Sequence, residues 1–415
     1  MKTEYKIGII GLGYVGLPLA LAFSKFYNVI GFDINKARII QLKESNDINL
    51  DVFSFDKSNI FFTFDSTNLH DRDIYIITVP TPINVKNIPD FSCLISATEI
   101  ISKYVKKDNI IIYESTVYPG VTEDICVPII EKISGLVFNQ DFFCGYSPER
   151  ISPGDDDFSL DKMVKITSGS NKIIANKIND LYNTIIPAGT YQAPSIKIAE
   201  AAKVIENIQR DVNIALINEL AIIFDKMNIE TNEVLKAART KSNFIDFRPG
   251  LVGGHCISVD PYYLSYYADK LGVNTDLISL SRKINDNMTD FIVSKTIYLI
   301  CKSNKVFEKS AVLILGYTFK ENCADIRNTK VKQLILGLEK NDMIVDFYDP
   351  YMTDNIKGRL INNPLDSKKK YNAIIVAVAH NEFKKYTRED FTKISKGKLV
   401  LLDIKGIYNK SYWQL

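Results

Sequence analysis

The fold of the first part of this chain can be predicted from residues 5–26, YKIGIIGLGYVGLPLALAFSKF. It opens with a short isoleucine-rich run that predicts a buried strand, and its apolar residues from Leu17 onward have helical spacing. Between them GLGYVG, residues 11–16, matches the GxGxxG turn that joins a strand to a helix. The charge-free run from Ile7 to Phe23 is interrupted by glycines and a proline, and a bilayer needs about 20 apolar residues, so no membrane span is predicted.

The glycine-rich turn lies in the context of a dinucleotide-binding site. A second predicted strand, residues 28–33, ends in Asp33, twenty-two positions after Gly11. In such a site Gly11 permits the tight turn, Gly13 lets the backbone approach a pyrophosphate, and Gly16 lets the helix pack closely. The helix N-terminus attracts the phosphates, while a carboxylate at the strand end binds ribose hydroxyls and repels a 2′-phosphate. The pattern therefore predicts NAD rather than NADP.

Two further loops extend this candidate site. TVPTP, residues 78–82, and ESTVYPG, residues 114–120, follow predicted strands, and ligands bind at the carboxyl ends of strands in parallel sheets. Prolines and hydroxyls are also common in plain turns, which is the alternative interpretation. Lys36 lies three residues after Asp33 and acts against the preference for NAD. The candidate cofactor residues of this region are Gly11, Gly13, Tyr14, Val15, Gly16, Asp33, Lys36, Pro80, Thr81 and Thr116.

Short apolar strands alternate with helical segments at both ends of the chain. In the first 150 residues, strands are predicted at 5–11, 28–33, 73–80, 109–116 and 141–150. After Lys302, four parallel strands are predicted in SAVLILGYTF, MIVDFYDP, YNAIIVAVA and KLVLLDIKG. Continuous apolar strands separated by helices indicate parallel sheets that are covered on both faces.

Residues 195–227 contain neither Gly nor Pro and have a 3.6-residue apolar period, so they predict one long helix. This helix is a candidate spine between domains or dimer interface. The apolar residues near one side of it are Ile198, Ala202, Ile205, Ile208, Val212, Leu216 and Ile223. The predicted fold class is α/β, with two Rossmann-like, doubly wound parallel-sheet lobes joined by a long central helix. The predicted domains are residues 1–194, 195–302 and 303–415.

The composition is that of a globular chain with no polyelectrolyte partner. The 415 residues carry a formal net charge of +2, which gives no electrostatic reason to bind nucleic acid or an acidic membrane. A chain of this length usually forms two or three domains. Six cysteines without a CxxC pair, and three histidines in all, predict no metal site. A large chain with a full complement of apolar residues does not need disulfides, so reduced thiols and a cytoplasmic location are expected.

One cysteine lies in an unusual loop, LVGGHCISVDPYYL, residues 251–264. Asp260 and Pro261 are typical of a helix N-cap and first position, and the helix is predicted to stop at Gly272. Cys256 thus precedes a helix N-terminus, where the dipole stabilises a thiolate and lowers the thiol pKa. The two glycines before it favour an accessible thiol. The alternative is a small buried residue in a glycine loop.

Three polar residues share one stripe of the predicted long helix. Lys203, Asn207 and Arg210 are spaced i, i+4 and i+7. Because the main apolar stripe lies elsewhere, solvent exposure is the default expectation for all three.

Seven motifs over nearly the whole chain resemble the UDP-glucose/GDP-mannose dehydrogenase family of nucleotide-sugar 6-dehydrogenases. They are GLGYVGLPLA, VPTP, STVYPG, SPER, AEAAKVIENIQRDVNIALINE, GGHCISVDPYYL and GYTFKENCADIRNTK. The resemblance implies an N-terminal lobe that binds NAD, central helices that form a homodimer or higher homo-oligomer, and a C-terminal lobe that binds a UDP-sugar. It also implies oxidation of a sugar C6 alcohol to the acid, with two NAD and one water consumed.

The same resemblance implies roles for individual residues. The thiolate of Cys256 would attack the C6 aldehyde, and a thioester formed by the second hydride transfer would be hydrolysed. Lys203 matches the lysine that stabilises the oxyanion, and Asn207 matches its hydrogen-bonding partner. Asp260 matches the carboxylate that helps to position the hydrolytic water, although its N-cap position explains it equally well.

Thr116 and Glu149 match the pair that handles water and proton transfer, with a surface turn as the alternative for Glu149. His255 precedes the cysteine, but adjacent residues in an extended loop point apart, so we expect a positional role at most. The implied catalytic residues are Cys256, Lys203, Asn207, Asp260, Thr116 and Glu149. The implied substrate contacts are Glu149, Lys203, Asn207, Arg210, Arg248, Gly253 and Lys320, and Arg327 is expected near the lobe interface, among the cofactor contacts.

The cysteine loop resembles the branch that acts on UDP-N-acetylhexosamines, UDP-GlcNAc or UDP-GalNAc, for surface polysaccharides. Ser258 stands where that branch commonly has glycine. UDP-glucose and UDP-ManNAc remain alternative substrates. A β-hydroxyacid dehydrogenase that yields one NADH, and a nucleotide-sensing scaffold without catalysis, are alternative functions. Neither would need Cys256, Lys203, Asn207 and Asp260 together.

Overall fold

The computed structural model of the chain describes residues 5–44, 59–150, 162–303, 306–352, 359–366, 368–408 and 412–415. The chain divides into two compact units. We call Met1–Glu206 with Tyr262–Gly272 the N-terminal unit, and Asn207–Pro261 with Val273–Leu415 the C-terminal unit. None of the helices described is both long enough and apolar enough to span a bilayer.

Eight strands of the N-terminal unit form one sheet in the order β3-β2-β1-β4-β5-β6-β7-β8. They are β1 (Lys6–Ile10), β2 (Asn28–Phe32), β3 (Ile60–Thr63), β4 (Ile74–Ile77), β5 (Ile110–Tyr113), β6 (Phe143–Tyr146), β7 (Lys165–Gly169) and β8 (Thr190–Gln192). The helices are α1 (Gly16–Ser24), α2 (Lys36–Lys43), α3 (Ser92–Ser102), α4 (Val127–Ser134) and α5 (Lys172–Asn183). The strand order reverses between β1 and β4, which is where such sheets bind their ligands.

The five strands predicted for this unit are confirmed as β1, β2, β4, β5 and β6. The sheet also contains β3, β7 and β8, which the sequence analysis did not predict. Strand β7 runs antiparallel to β6, whereas the other strand pairs described in the sheet are parallel. Because β7 (KITSG) is partly polar and β8 (TYQ) is partly polar and has only three residues, they lack the apolar run that identified their neighbours.

The C-terminal unit contains a parallel sheet in the order β10-β9-β11-β12-β13. Its strands are β9 (Ala311–Leu315), β10 (Ile344–Tyr348), β11 (Ala373–Val376), β12 (Leu401–Asp403) and β13 (Trp413–Gln414). The four predicted strands are confirmed as β9 to β12, and β13 is an addition. The remaining helices are α6 (Ile196–Met227), α7 (Thr231–Ala238), α8 (Asp260–Lys270), α9 (Asp276–Lys302), α10 (Val331–Lys340) and α11 (Arg388–Ile394).

Both faces of the second sheet are covered, as a doubly wound fold requires. Along β9, Val312 and Ile314 belong to an apolar cluster that includes Met288 of α9 and Leu334 of α10. The alternate residues of β9 belong to a second cluster, which includes Phe391 of α11. Since successive side chains of a strand point to opposite faces, the two clusters lie on opposite sides of the sheet.

The two sheets begin with the same backbone turn. Gly11 has a φ of +95° and donates its N–H to the carbonyl of Phe32 at 2.8 Å. Gly316 has a φ of +91° and donates to the carbonyl of Tyr348, also at 2.8 Å. A left-handed residue at the end of the first strand is easiest for glycine, so each sheet has a glycine at this point. The predicted fold of two Rossmann-like lobes is confirmed.

The long helix is confirmed as α6, and two of its three predicted exposed polar residues are buried. Four residues of the predicted apolar stripe, Ile198, Ile205, Leu216 and Ile223, are between 45% and 54% exposed. Arg210 is exposed as expected, whereas Lys203 and Asn207 are buried at 8% and 5% exposure, so the default expectation is wrong for these two. Of the predicted stripe, Ile208 is buried, and the other buried apolar residues of the helix lie outside that stripe: Ile196, Ala199, Val204, Ala215, Ile217 and Ala221. Periodicity locates an apolar stripe but does not say what covers it.

Candidate active site

The glycine turn after β1 has one crowded and one open position. A Cβ on Gly16 would lie 1.8 Å from the carbonyl oxygen of Gly11 and 2.4 Å from Oγ1 of Thr78, so a side chain cannot fit there. A Cβ on Gly13 would have nothing within 4 Å. Gly13 therefore faces open space at the beginning of α1, where a helix N-terminus favours phosphate. This gap fits a pyrophosphate group.

The carboxylate of Asp33 is fixed beside this turn. Its Oδ2 accepts from the backbone N–H of Leu12 and its Oδ1 from that of Asn35, both at 2.8 Å. Lys36 lies over the ring of Phe64, 5.3 Å from its centroid. Tyr14 and Val15 are half-buried within the turn.

The loops after β4 and β5 are joined by hydrogen bonds within the N-terminal unit. Thr81 donates its hydroxyl to the carbonyl of Thr116 at 2.7 Å, and the hydroxyl of Tyr263 donates to the carbonyl of Thr81. Pro80 is exposed and Thr116 is half-buried. The two predicted loops thus lie together, and Tyr263 of α8, which the sequence analysis did not single out, fastens one of them.

The loop after β5 is also held by the first turn of α6. Glu200 accepts hydrogen bonds from the N–H of Gly120 at 2.5 Å, and from the N–H and hydroxyl of Thr122 at 3.0 and 2.7 Å. Burial raises the pKa of Glu200 to about 7. Glu200 was not predicted as a functional residue, and its role here is to attach α6 to this loop.

Both charged residues of the SPER motif have ion-pair partners. Glu149 lies 3.5 Å from the ammonium of Lys165, and Arg150 lies 2.7 Å from Glu206 of α6. Lys165 in turn contacts Glu114 at 2.7 Å. The sequence analysis missed Lys165, Glu114 and Glu206, because only cross-strand and helix–sheet packing bring them to the motif.

Within the C-terminal unit, α6 contacts the first residue of α8. Asn207 donates its amide N–H to Oδ2 of Asp260 at 2.5 Å, and both residues are buried. Arg210 donates to Oδ1 of Asn207 at 3.4 Å. The helix begins at Asp260 itself, one residue earlier than predicted. Lys203, one turn before Asn207, has no hydrogen-bond or ion-pair partner among the residues described.

The thiol of Cys256 is exposed, unlike the buried residue of the alternative interpretation. Its carbonyl accepts from the N–H of Val259 at 3.0 Å and of Asp260 at 2.8 Å, so the cysteine opens the turn that leads into α8. A Cβ on Gly253 would lie 2.8 Å from the carbonyl of Asn328, which shows how closely the loop packs against residues 319–328.

The neighbouring histidine has another partner. His255 Nε2 lies 2.8 Å from Oδ2 of Asp325, which also accepts from Arg327 at 2.7 Å. Burial alone would raise the pKa of Asp325, but the hydrogen bonds from His255 and Arg327 outweigh it and hold that pKa well below its usual range. His255 is therefore part of the contact between the cysteine loop and Asp325.

The other candidate substrate contacts lie in the C-terminal unit. Arg248 is exposed, and its guanidinium contacts both carboxylate oxygens of Asp246: Nε lies 3.1 Å from Oδ1, and Nη2 donates to Oδ2 at 3.2 Å. Gly250, two residues later, is held by Asn218, which accepts from its N–H at 2.8 Å and donates to its carbonyl at 3.1 Å. Lys320 is half-buried in the loop after β9.

Comparisons with known proteins identify the family. Residues 5–186, 197–287 and 313–410 match the NAD binding domain, the central domain and the UDP binding domain of the UDP-glucose/GDP-mannose dehydrogenase family. The chain belongs to this family. It is an NAD-dependent nucleotide-sugar dehydrogenase.

Known relatives match this dehydrogenase over nearly its full length. It is 50% identical to UDP-N-acetyl-D-glucosamine 6-dehydrogenase of Salmonella typhi, over 97% of this chain and 96% of the relative. The enzyme of the same name from Pseudomonas aeruginosa is 49% identical, over 98% of each chain. The solved structure of UDP-D-ManNAc dehydrogenase from Pyrococcus horikoshii has a TM-score of 0.89 at 27% identity, and covers 99% of this chain and 98% of that one.

The two glycines of the turn give a paired prediction. We expect Gly13→Ala to leave the melting temperature within about 2 °C of wild type, because its Cβ meets no atom, but to raise the KM for NAD about tenfold or more. We expect Gly16→Ala to destabilise the protein by about 1–3 kcal/mol, because its Cβ overlaps the carbonyl of Gly11. Thermal unfolding of both variants measures the change in stability, and initial rates at varied NAD concentration measure the KM for NAD. An unchanged KM for NAD in Gly13→Ala would contradict the assignment of the gap at Gly13 to the cofactor.

Proposed function

We propose that this dehydrogenase oxidises the C6 hydroxymethyl of a UDP-N-acetylhexosamine, UDP-GlcNAc or UDP-GalNAc, to the uronic acid. The observation that carries this proposal is full-length identity of 50% and 49% to two enzymes named for UDP-N-acetyl-D-glucosamine, against 34% to a UDP-N-acetyl-D-mannosamine dehydrogenase of Methanococcus aeolicus. UDP-glucose and UDP-ManNAc are the alternative substrates. The product would serve surface polysaccharide synthesis.

The cofactor is expected at the turn after β1. Gly11, Gly13 and Gly16 would hold its pyrophosphate and Asp33 its adenosine ribose, with Thr81 and Thr116 in the loops alongside. NAD, when bound, supplies the hydride acceptor. A four-electron oxidation of an alcohol to a carboxylate needs two hydride acceptors and one water, so the reaction yields two NADH per sugar.

Cys256 would keep the half-oxidised sugar bound between the two oxidations. Its thiolate adds to the C6 aldehyde and forms a thiohemiacetal, which becomes a thioester when a hydride leaves C6. Water then adds to the thioester carbon, and the thiolate leaves as the carboxylate forms. The exposure of Cys256, and its position one turn before α8, support this role.

The buried polar residues of α6 suit the charges that develop at C6. Lys203 is 8% exposed and lacks a charged or hydrogen-bonded partner within the described part of the chain, so its ammonium is available for an oxyanion. Asn207 would donate to the same oxygen while it holds Asp260. Asp260 would orient the hydrolytic water, and Thr116 with Glu149 would move the protons.

Contacts with the UDP-sugar are proposed for Glu149, Lys203, Asn207, Arg210, Arg248, Gly253 and Lys320. Arg327 is proposed near the cofactor. An active thiol needs a reducing compartment, so the proposed location is the cytoplasm. The domain division at residues 194 and 302 also remains a proposal.

A panel of UDP-sugars tests the function. We expect NADH formation to be fastest with UDP-GlcNAc or UDP-GalNAc, and slower with UDP-ManNAc and UDP-glucose, with two NADH formed per sugar consumed. Cys256→Ala should lower acid formation by at least about a thousandfold, because the thioester cannot form. Cys301→Ala, at another exposed cysteine, is the matched control and should act as wild type. Full acid production at near-normal rate by Cys256→Ala would refute the mechanism, and one NADH per sugar would favour a two-electron dehydrogenase.

We also propose that the enzyme is a homodimer that pairs through α6. Ile198, Ile205, Leu216 and Ile223 present an exposed aliphatic stripe along this helix, and a contiguous apolar surface on a soluble chain usually marks an interface. A second copy of the same helix offers the matching surface.

Charged substitutions on the stripe test the dimer. We expect wild type to sediment as a dimer, and Ile205→Glu with Leu216→Glu to sediment as a monomer, because two carboxylates cannot be buried in an apolar interface. Ile173→Glu, at a residue that is 70% exposed on α5, is the control and should remain dimeric. Monomeric wild type, or an unchanged double variant, would contradict this proposal.

A further inference from the structure

A buried lysine lies between two glutamates at the edge of the first sheet that is formed by the carboxyl ends of β5 and β6. The side chain of Lys165 is 3% exposed, and its ammonium is 2.7 Å from Oε2 of Glu114 and 3.5 Å from Oε2 of Glu149. Tyr182 donates its hydroxyl to the other oxygen of Glu114. Because several kcal/mol are needed to desolvate each buried ion, a cluster of this kind is weak evidence of a purely stabilising role.

The antiparallel pairing of β6 and β7 explains how the lysine reaches this edge. In the ladder Gly145 lies opposite Gly169, and Tyr146 lies opposite Ser168. If the same register continues past the end of β6, Glu149 lies opposite Lys165. A parallel strand would instead have begun at the far end of the sheet, so the reversal of β7 is what delivers Lys165 to the carboxyl ends of its neighbours.

The second glutamate comes from β5. Glu114 directly follows this strand and donates its N–H to the carbonyl of Ile77 at the end of β4. The N–H of Ser147 donates to the carbonyl of Tyr113, so the pairing of β5 with β6 continues to the ends of both strands. Glu114 and Glu149 are thus on adjacent strand ends, and Lys165 lies between them.

The side chains of the two glutamates differ in their exposure to solvent. The side chain of Glu114 is fully buried, whereas that of Glu149 is 12% exposed and also accepts from the N–H of Arg150 at 2.6 Å. Burial by itself lowers the pKa of an ammonium, but Glu114 and Glu149 outweigh it, so the pKa of Lys165 is raised. The lysine therefore stays charged behind a carboxylate that solvent can reach.

We propose that Lys165 is a positioning residue that fixes the carboxylate of Glu149 for proton transfer, and that Glu114 and Tyr182 hold Lys165 in place. This inference rests on the proposed function, in which Glu149 moves a proton during the reaction. An ammonium that contacts one carboxylate oxygen restricts rotation of the group, and misplacement of a catalytic group by about 1 Å can cost a hundredfold in rate.

A double-mutant cycle in a Glu114→Gln background tests the proposal. In that background Lys165→Met removes the cation without leaving Glu114 as an unpaired buried anion, so the variant should fold. The four proteins are Glu114→Gln alone and with Lys165→Met, with Glu149→Gln, or with both. We measure kcat and KM with NAD and UDP-GlcNAc, and the melting temperature. Lys295→Met in the wild-type chain is the control, because it removes another largely buried lysine from an ion pair with Asp225.

We expect Lys165→Met to lower kcat about 10–100-fold when Glu149 is present and less than about threefold when Glu149→Gln is present, with either KM changed less than about threefold. Lys295→Met should leave kcat unchanged. Equal losses from Lys165→Met with and without Glu149 would overturn the role of Lys165 and leave the proposed function intact. If Glu149→Gln costs nothing, the proton-transfer role of Glu149 fails, and the inference fails with it.

Discussion

The buried hydrogen bond from Asn207 to Asp260 is the interaction on which the cysteine loop depends. It attaches the first residue of α8 to α6, and the backbone N–H of the same aspartate donates to the carbonyl of Cys256. Asp260 is 2% exposed, and a buried carboxylate that loses a partner costs about 1–3 kcal/mol. The cysteine thus has little freedom at its backbone, while its thiol is exposed. A rigid attachment and an accessible sulfur are what a nucleophile requires.

The two sheets contain the same turn after their first strands. Gly11 and Gly316 have nearly the same φ and the same bond to the end of the next strand, and in both sheets an aspartate follows that strand. Asp33 accepts from one N–H of the first turn, and Asp349 from two N–H groups of the second, those of Tyr317 and Thr318. The second turn lacks the further glycines, and Lys320 stands in the loop beyond. This difference agrees with the family's assignment of NAD to the first domain and UDP to the last.

The sequence predicts features that depend on neighbours along the chain. The glycine turn, the five predicted strands of the first sheet and the helix over residues 195–227 follow from local pattern, and the structure confirms them. Lys165 could not be predicted as a site residue, because its partners come from β5 and β6, and the direction of β7 is set by the sheet rather than by its own five residues. The burial of Lys203 and Asn207 was not predicted for a similar reason: an amphipathic period does not show which other elements cover each side of a helix. The apolar pattern of α6 predicted that Lys203 and Asn207 are exposed to solvent, and only the resemblance to the family predicted that they are site residues. Both side chains are buried.

In the proposed mechanism, one sulfur holds the sugar between its two oxidations. The most direct measurement is peptide mass spectrometry of an Asp260→Asn variant quenched during turnover with NAD and UDP-GlcNAc, since slower hydrolysis should let the thioester accumulate. The account predicts an acyl adduct of the nucleotide sugar on the peptide that contains Cys256. Acid product together with unmodified Cys256 throughout turnover would contradict it.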